Sequence, residues 1–294
     1  MQTAFKELLL SGKTLIADGA TGTMLMAAGL PPGMPPEAWN VDQPERILAL
    51  HRAYLEAGSQ VILTNTFGGS SLKLAKAGLE DRATELNLAA ARLARQAAGE
   101  RAYVAGDIGP SGELMKPMGV LTYEAALQSF SEQAKALAEG GVDAIWIETM
   151  SDLTEARAAV VAARESTDLP VLCSLSFGRR ARTMMGATPR QAVEQLWPLG
   201  LAAIGVNCGE GLDMVSDVLR QMREAMPNVV LIAKPNAGLP KLIQGATVYD
   251  VEPAAFADRM LDFIALGAQV VGSCCGSSPE YIGELAEKIH SVDG

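Results

Sequence analysis

Residues 203–225 read Ala-Ile-Gly-Val-Asn-Cys-Gly-Glu-Gly-Leu-Asp-Met-Val-Ser-Asp-Val-Leu-Arg-Gln-Met-Arg-Glu-Ala. The first six residues form a short run with little polar alternation, as expected of a parallel strand buried on both faces. Gly209 and Gly211 interrupt it, and 212–225 fits a helix. One strand, one turn and one helix make a unit, and the unit recurs along the chain. Candidate strands are Thr14–Asp18, Gln60–Thr66, Tyr103–Ile108, Ala144–Glu148, Val171–Phe177, Ala203–Cys208, Val229–Lys234 and Gln269–Ser273.

Helix signals fill the intervals. Asp42 is a candidate cap for a helix starting near Pro44, with Ile47, Leu50, Tyr54 and Leu55 on one face and Gly58 at its end. Leu127, Phe130, Ala134 and Leu137 form another stripe, stopped by Gly140 and Gly141. Thr188-Pro189 and Ser278-Pro279-Glu280 each read as a cap followed by a first-turn proline. Further helices fit 79–98, 153–165 and 253–266. Eight strand–helix units predict an α/β protein, a single (β/α)8 TIM barrel spanning residues 1–294, with a doubly wound open sheet as the competing architecture. No linker or shift in composition divides the chain. Segments 29–41 and 235–252 read as long loops on the strand C-terminal side, where barrels build binding surfaces.

Composition narrows the function. The 294 residues are 49% hydrophobic and 20% charged, a globular balance with material for a large core. A formal net charge of −10 argues against a general nucleic-acid partner. Neither a signal peptide nor a membrane span is evident, and four cysteines do not make a disulfide scaffold. A cytoplasmic protein with no membrane partner is expected.

Three of those cysteines end strands: Cys208 in Gly-Val-Asn-Cys-Gly, and Cys274 with Cys275 in Gly-Ser-Cys-Cys-Gly. Strand ends of a barrel share one face, so the three thiols are positioned to converge. Neighbouring strand residues point to opposite sides, so both Cys274 and Cys275 reach one ion only if the backbone bends, which Gly272 and Gly276 permit. Three thiolates with an open fourth position describe a catalytic zinc site, and a thiol in that position would be held as the nucleophilic thiolate. The competing reading is a pair of small packing residues or a redox pair, since the compact CxxC spacing of a zinc ribbon is absent. Cys173, inside its strand, is expected to be a packed core thiol.

Other strand ends carry polar chemistry. Asp18 (Ala-Asp-Gly-Ala-Thr-Gly-Thr) and Glu148 (Trp-Ile-Glu-Thr-Met) are placed to receive a substrate ammonium, while Gly19, Ala20 and Gly22 offer backbone N–H groups to a carboxylate. Equally, the two acids serve as loop or helix caps. Asn65 and Asn207 either orient substrate or satisfy loop backbone. Lys234 has the position of a Schiff-base lysine, although an ion pair is the simpler expectation. Neither His51, within a predicted helix, nor His290, near the C-terminus, suits a general base.

Six ordered motifs, 18–23, 64–69 (Thr-Asn-Thr-Phe-Gly-Gly), 147–150, 205–209, 234–238 (Lys-Pro-Asn-Ala-Gly) and 272–276, resemble the homocysteine S-methyltransferase family over nearly the whole chain. That family's barrel is shared by methionine synthases and betaine–homocysteine methyltransferases. The resemblance implies that Cys208, Cys274 and Cys275 bind Zn2+, with the homocysteine sulfur as a further ligand. It implies that Asp18 and Glu148 read the substrate ammonium, with the Gly19–Ala20 backbone near its carboxylate. Methionine is the implied product.

The donor side, marked by Trp39 and Phe67, is less defined. Trp39 resembles the tryptophan of a betaine cage. Betaine-dependent members carry tyrosines directly after the positions matching Phe67 and Glu148, where this chain has Gly68 and Thr149. Betaine, another small onium donor and a methylcorrinoid (cobalamin) protein all remain open, the corrinoid being expected on a separate partner. Alternatives in function are transfer to another thiol or selenol such as selenocysteine, or a non-catalytic zinc/thiol-binding subunit of a corrinoid complex.

Overall fold

The computed structural model describes residues 2–178, 180–243 and 246–293. Strands β1 (Leu15–Ile16), β2 (Val61–Leu63), β3 (Tyr103–Ile108), β4 (Ala144–Met150), β5 (Val171–Leu175), β6 (Ala203–Cys208), β7 (Leu231–Pro235) and β10 (Ala268–Val271) form one sheet ordered β1-β10-β7-β6-β5-β4-β3-β2. Every neighbouring pair in it is parallel. A parallel bridge between Ala17 and Val61 joins the two ends of this order and closes the barrel. The fold is the expected (β/α)8 barrel; the open-sheet alternative falls on that closing bridge.

Side-chain alternation builds two layers. Residues such as Ile62, Val104, Ile145, Val171, Ile204 and Val271 pack outward against the helices. Their neighbours Leu63, Ala105, Trp146, Leu172, Ala203, Ile232 and Val270 fill the barrel interior. Each buried Val, Leu or Ile contributes about 1.5–3 kcal/mol by leaving water. The sequence reading missed a helix at Gln2–Leu10, whose Phe5 and Leu9 join the interior cluster; Phe5 packs on Tyr103, the first residue of β3, with ring centroids 4.9 Å apart. The same inward alternation continues one step beyond Ala105, Trp146 and Ile232 to Asp107, Glu148 and Lys234. Thus the apolar interior ends in a charged layer at the strand C-termini.

Several boundaries move. The Tyr103–Ile108 and Ala203–Cys208 strands match the sequence reading, whereas β1 and β2 are shorter than expected because their ends turn into loops that build the mouth. Asp42 is not the expected cap: it ends a four-residue helix, Trp39–Asp42, and Gln43 precedes the helix Pro44–Glu56. Thr188 does cap the helix Pro189–Leu196, in a full capping box with Gln191. Segment 235–252, expected as a loop, contains an antiparallel hairpin of β8 (Pro240–Ile243) and β9 (Ala246–Tyr249). Among the described residues, no helix is long and apolar enough to cross a membrane.

Candidate metal centre and substrate cavity

Cys208 closes β6 in a left-handed backbone conformation, φ 57°, followed by Gly209 at φ 82°. A side chain at Gly209 would put its Cβ 2.4 Å from the Phe177 carbonyl oxygen. The glycine therefore allows β6 to turn sharply and present the Cys208 sulfur to the mouth. After β10, Cys274 N–H donates to the Pro235 carbonyl at 2.8 Å, and the Cys275 carbonyl accepts from Ala237 N–H at 3.0 Å. These bonds tie the cysteine pair to the end of β7. Gly276 follows at φ 81°, with the Tyr249 ring occupying the space a Cβ would need.

The outcome is one cluster. The sulfurs of Cys208, Cys274 and Cys275 all lie within 4.8 Å of one another, with 4.0 Å between Cys274 and Cys275. Tetrahedral coordination at Zn–S bonds of about 2.3 Å would space sulfurs by about 3.8 Å. The spacing and chemistry of the three thiols therefore fit a thiophilic metal. Hydrogen bonds from the Cys274 and Cys275 thiols hold Cys208 down at about 3, while Cys275 is pushed up to about 11 by the anion beside it. Cys173, the expected packed thiol, is fully buried and raised to about 12 by desolvation.

Asn207 secures this arrangement. Its Oδ1 accepts from Thr149 N–H and Ser174 Oγ, both at 2.8 Å, and its Nδ2 donates to Thr149 Oγ1 at 2.6 Å and faces Cys274 Sγ at 4.0 Å. Expected from its strand-end position either to orient substrate or to satisfy loop backbone, it is fully buried and spends these contacts on the protein.

A cavity of about 1020 Å³ opens over the sulfurs, lined also by Asp18, Glu37, Phe67, Asp107, Glu148, Lys234 and Tyr249. Lys234 Nζ stands 3.3 Å from Asp18 Oδ1 and 3.7 Å from Glu148 Oε2, so the ion-pair expectation for this lysine holds. Burial opposes its charge, but Glu148 and Asp18 outweigh that and raise its pKa. Burial pushes both of these carboxyls upward, against the pull of Lys234. Asp18 Oδ2 also accepts from Leu63 N–H at 2.7 Å.

Gly19 and Ala20 line the same cavity. Gly19 has no room for a side chain, since a Cβ would lie 2.6 Å from Ser273 Oγ. Ala20 N–H donates to Ser277 Oγ at 3.1 Å. Phe67 is partly exposed at the rim. Trp39, expected on the donor side, does not line this cavity: it is buried in the core, with the Arg46 guanidinium 5.1 Å from its ring. Asn65 is structural, donating to Pro36 O and Asn40 Oδ1. His51 is buried in its helix, away from the cavity lining. Sequence reasoning missed Asp107, Glu37 and Tyr249. For Asp107 a signal was available, an acid on the inward alternation of an otherwise apolar strand; Glu37 and Tyr249 sit in loops whose path no local pattern shows.

A homocysteine S-methyltransferase family model matches residues 15–289. The chain belongs to the homocysteine S-methyltransferase family. Family members similar to it include methionine synthase of Mycobacterium tuberculosis (strain ATCC 25618 / H37Rv), 32% identical over 97% of this chain and 25% of that protein. Methionine synthase of Mycobacterium leprae (strain TN) is 30% identical over 95% of this chain and 24% of that protein. The chain thus spans about a quarter of the length of these curated relatives. Among solved structures, the oxidised form of the homocysteine methyltransferase MmuM from Escherichia coli is 25% identical with a TM-score of 0.78, covering 94% of this chain and 96% of that one. Its metallated form, at 24% identity and a TM-score of 0.80, shares the fold over 96% and 98% of the two chains.

Proposed function

We propose that this chain is a zinc-dependent homocysteine S-methyltransferase that forms methionine. The single observation carrying this is the convergence of three cysteine sulfurs beside a cavity with a buried, carboxylate-rich floor. Cys208, Cys274 and Cys275 would hold the ion. When bound, zinc supplies the positive charge that keeps a substrate thiol deprotonated and nucleophilic at neutral pH. The carboxylates of the floor receive the amino-acid ammonium, and Lys234 stabilises them in ionised form. The Asn207 amide fixes Thr149, and so the direction of the neighbouring Glu148. With the amino acid held at its charged end, its sulfur faces the donor in one orientation, which is the main gain from positioning. The new sulfur–carbon bond forms as the donor's bond to the methyl carbon breaks, its electron pair leaving with the donor.

On the donor side, the exposed apolar residues favour a methyl group delivered by another protein, such as a methylcorrinoid carrier. Met26, on the helix Thr21–Ala27 after β1, and Phe67, after β2, are exposed and line the cavity, and Met118, Val120, Met184 and Leu239 are exposed in the segments after β3, β5 and β7. Exposed apolar residues on the strand C-terminal side of the barrel suit a docking rim. Gly68 and Thr149 stand where a betaine cage would have tyrosines, so this chain lacks those two aromatic walls.

The test is methionine formation by the zinc-loaded chain with betaine, S-methylmethionine, dimethylsulfoniopropionate or a methylcorrinoid protein. Turnover with the corrinoid protein and none with the small donors supports the whole reading. Turnover with a small donor retains the methyltransferase and rejects the docking rim. Zinc and homocysteine binding without methionine from any donor would make the chain a binding subunit instead.

A further inference from the structure

Among the described residues, the cations lining the cavity are Lys73, Lys76 and Lys234, in a chain whose formal net charge is −10. Two of them are spent inside the protein. Lys234 faces Asp18 and Glu148, while Lys76 Nζ pairs with Glu113 Oε1 at 3.0 Å and donates to the Gly112 carbonyl. Lys73 is different. It is half-buried, and its Nζ has neither a hydrogen bond nor an ion pair among the described residues.

The backbone makes room for this ammonium. Lys73 N–H donates to Ser70 Oγ at 3.2 Å, which fixes the root of the side chain. A Cβ on Gly68 would stand 3.3 Å from Lys73 Cγ, and a Cβ on Gly112 would stand 2.9 Å from Lys73 Nζ and 3.0 Å from Lys76 Nζ. The Lys73 stem therefore lies over the bare backbone of Gly68, and its head reaches a notch at Gly112 where the second ammonium also stands. Gly112 holds that notch at φ 78°, a conformation glycine adopts freely. The loops after β2 and β3 are one wall here, since the Phe67 carbonyl accepts from Gly109 N–H at 2.9 Å. Glu37, whose Oε1 accepts from Gly68 N–H at 2.6 Å, and Glu155 feel the Lys73 charge only from beyond ion-pair distance. A half-buried ammonium with its donors unused, beside a second ammonium, suits an anion, because charge-assisted hydrogen bonds are about twice as strong as neutral ones.

We infer that Lys73, with Lys76 beside it, binds an anionic group of the methyl donor, a carboxylate or a phosphodiester, and so selects donors that carry one. This rests on the methyltransferase reading above and adds a specificity-determining residue on its donor side. Homocysteine brings one carboxylate, which the family resemblance assigns to the Gly19–Ala20 backbone after β1, so the lysine wall is left for the second reactant. A small onium donor would present its carboxylate there; a corrinoid would present the phosphodiester of its nucleotide tail.

Calorimetry on the zinc-loaded chain without homocysteine, where no acceptor is present, tests this. Two matched pairs are titrated into the wild type and Lys73→Met: dimethylsulfoniopropionate against ethyldimethylsulfonium, and methylcobalamin against methylcobinamide. The second member of each pair lacks the anion. The wild type should prefer the anion-bearing member of one pair by about 10- to 100-fold, and Lys73→Met should abolish that preference without changing affinity for the other member. The pair that responds identifies the source of the anion. A preference that survives in Lys73→Met overturns the inference, and so does an equal loss for both members, which would make Lys73 a counter-charge for Glu37. No preference in either pair overturns it too. So does a loss of homocysteine affinity in Lys73→Met, which would put the acceptor's carboxylate at the lysine. All of these results leave the methionine assay standing; failure of that assay with every donor defeats the proposed function instead. If Lys73→Met does not fold, Lys73→Gln gives the same comparison.

Discussion

Asn207 and Thr149 are joined twice: Thr149 N–H donates to Asn207 Oδ1 at 2.8 Å, and Asn207 Nδ2 donates to Thr149 Oγ1 at 2.6 Å. Thr149 sits at φ 62°, a conformation unfavourable for a β-branched residue. The asparagine thus holds a strained residue between Glu148 and the end of β4, while also facing Cys274. Replacing Asn207 with Ala should destabilise the chain by about 2–4 kcal/mol, because a buried amide is lost and its partners are orphaned. Urea unfolding of the metal-free protein measures this; a change below 0.5 kcal/mol (roughly the noise of a surface substitution) would refute the role.

The three sulfurs predict a sharp division among the cysteines. Cys208→Ser or Cys275→Ser should reduce bound zinc from about one per chain to a small fraction. Cys173→Ala, on the helix-facing side of β5, should leave zinc content unchanged. Elemental analysis after dialysis against a weak chelator distinguishes them, and full zinc in both serine variants would exclude this site.

Gly276 is the contact between the metal loop and the hairpin. An added Cβ would stand 2.1 Å from the Tyr249 ring, on a backbone at φ 81° that L-residues resist. Gly276→Ala should displace Tyr249 or the cysteine loop and weaken zinc binding about 10-fold or more, by analogy with the loss of a supporting contact around a metal site. Competition with a chromophoric chelator reads that affinity directly, and wild-type affinity would be the contrary result.

His51 gives the acid limb of stability a specific contribution. Burial lowers its pKa to about 4 from the ordinary 6.5, so the folded chain keeps it neutral where the unfolded chain takes up a proton. Its contribution is fully present above pH 6.5 and is lost as pH falls toward 4. At 1.36 kcal/mol per pKa unit the loss reaches about 3 kcal/mol. Urea unfolding of the metal-free protein at pH 7.5 and 4.5 (round values chosen about the window) should show a steeper decline for the wild type than for His51→Gln. Parallel declines would mean that His51 is not the group responsible.

Lys234→Met removes the cation facing Asp18 and Glu148. The uncompensated carboxylates should cost about 3–5 kcal/mol of stability near neutral pH, recovered in part as acid protonates them. A variant as stable as the wild type at pH 7 would show that the pair contributes nothing net. In the intact chain, borohydride with a keto acid should leave Lys234 unmodified, because its ammonium is held charged; mass spectrometry detects any adduct.

Much of this protein was legible without coordinates, and for a definite reason. Strand and helix signals are local: the buried run Ala203–Cys208 and the helix Leu212–Ala225 follow from hydrophobic pattern and glycine breaks, and both emerged with the expected limits. Eight repeats of that unit and the motifs at the strand ends were enough to name the barrel and the family. The hairpin at 240–249 and the Gln2–Leu10 helix were not legible, since short edge elements carry little periodicity and are held by packing on the rest of the chain.

What only the tertiary structure decided is who meets whom. Cys208 and Cys274 lie 66 positions apart in the sequence and become neighbours because β7 pairs with both β6 and β10. The sequence singled out Asp18, Glu148 and Lys234 as strand-end chemistry. Closure of the barrel placed the lysine between the two acids and sent Trp39 into the core. Residue type and local period are written along the chain; the distances that turn those residues into a site exist only once β1 and β2 have closed the barrel.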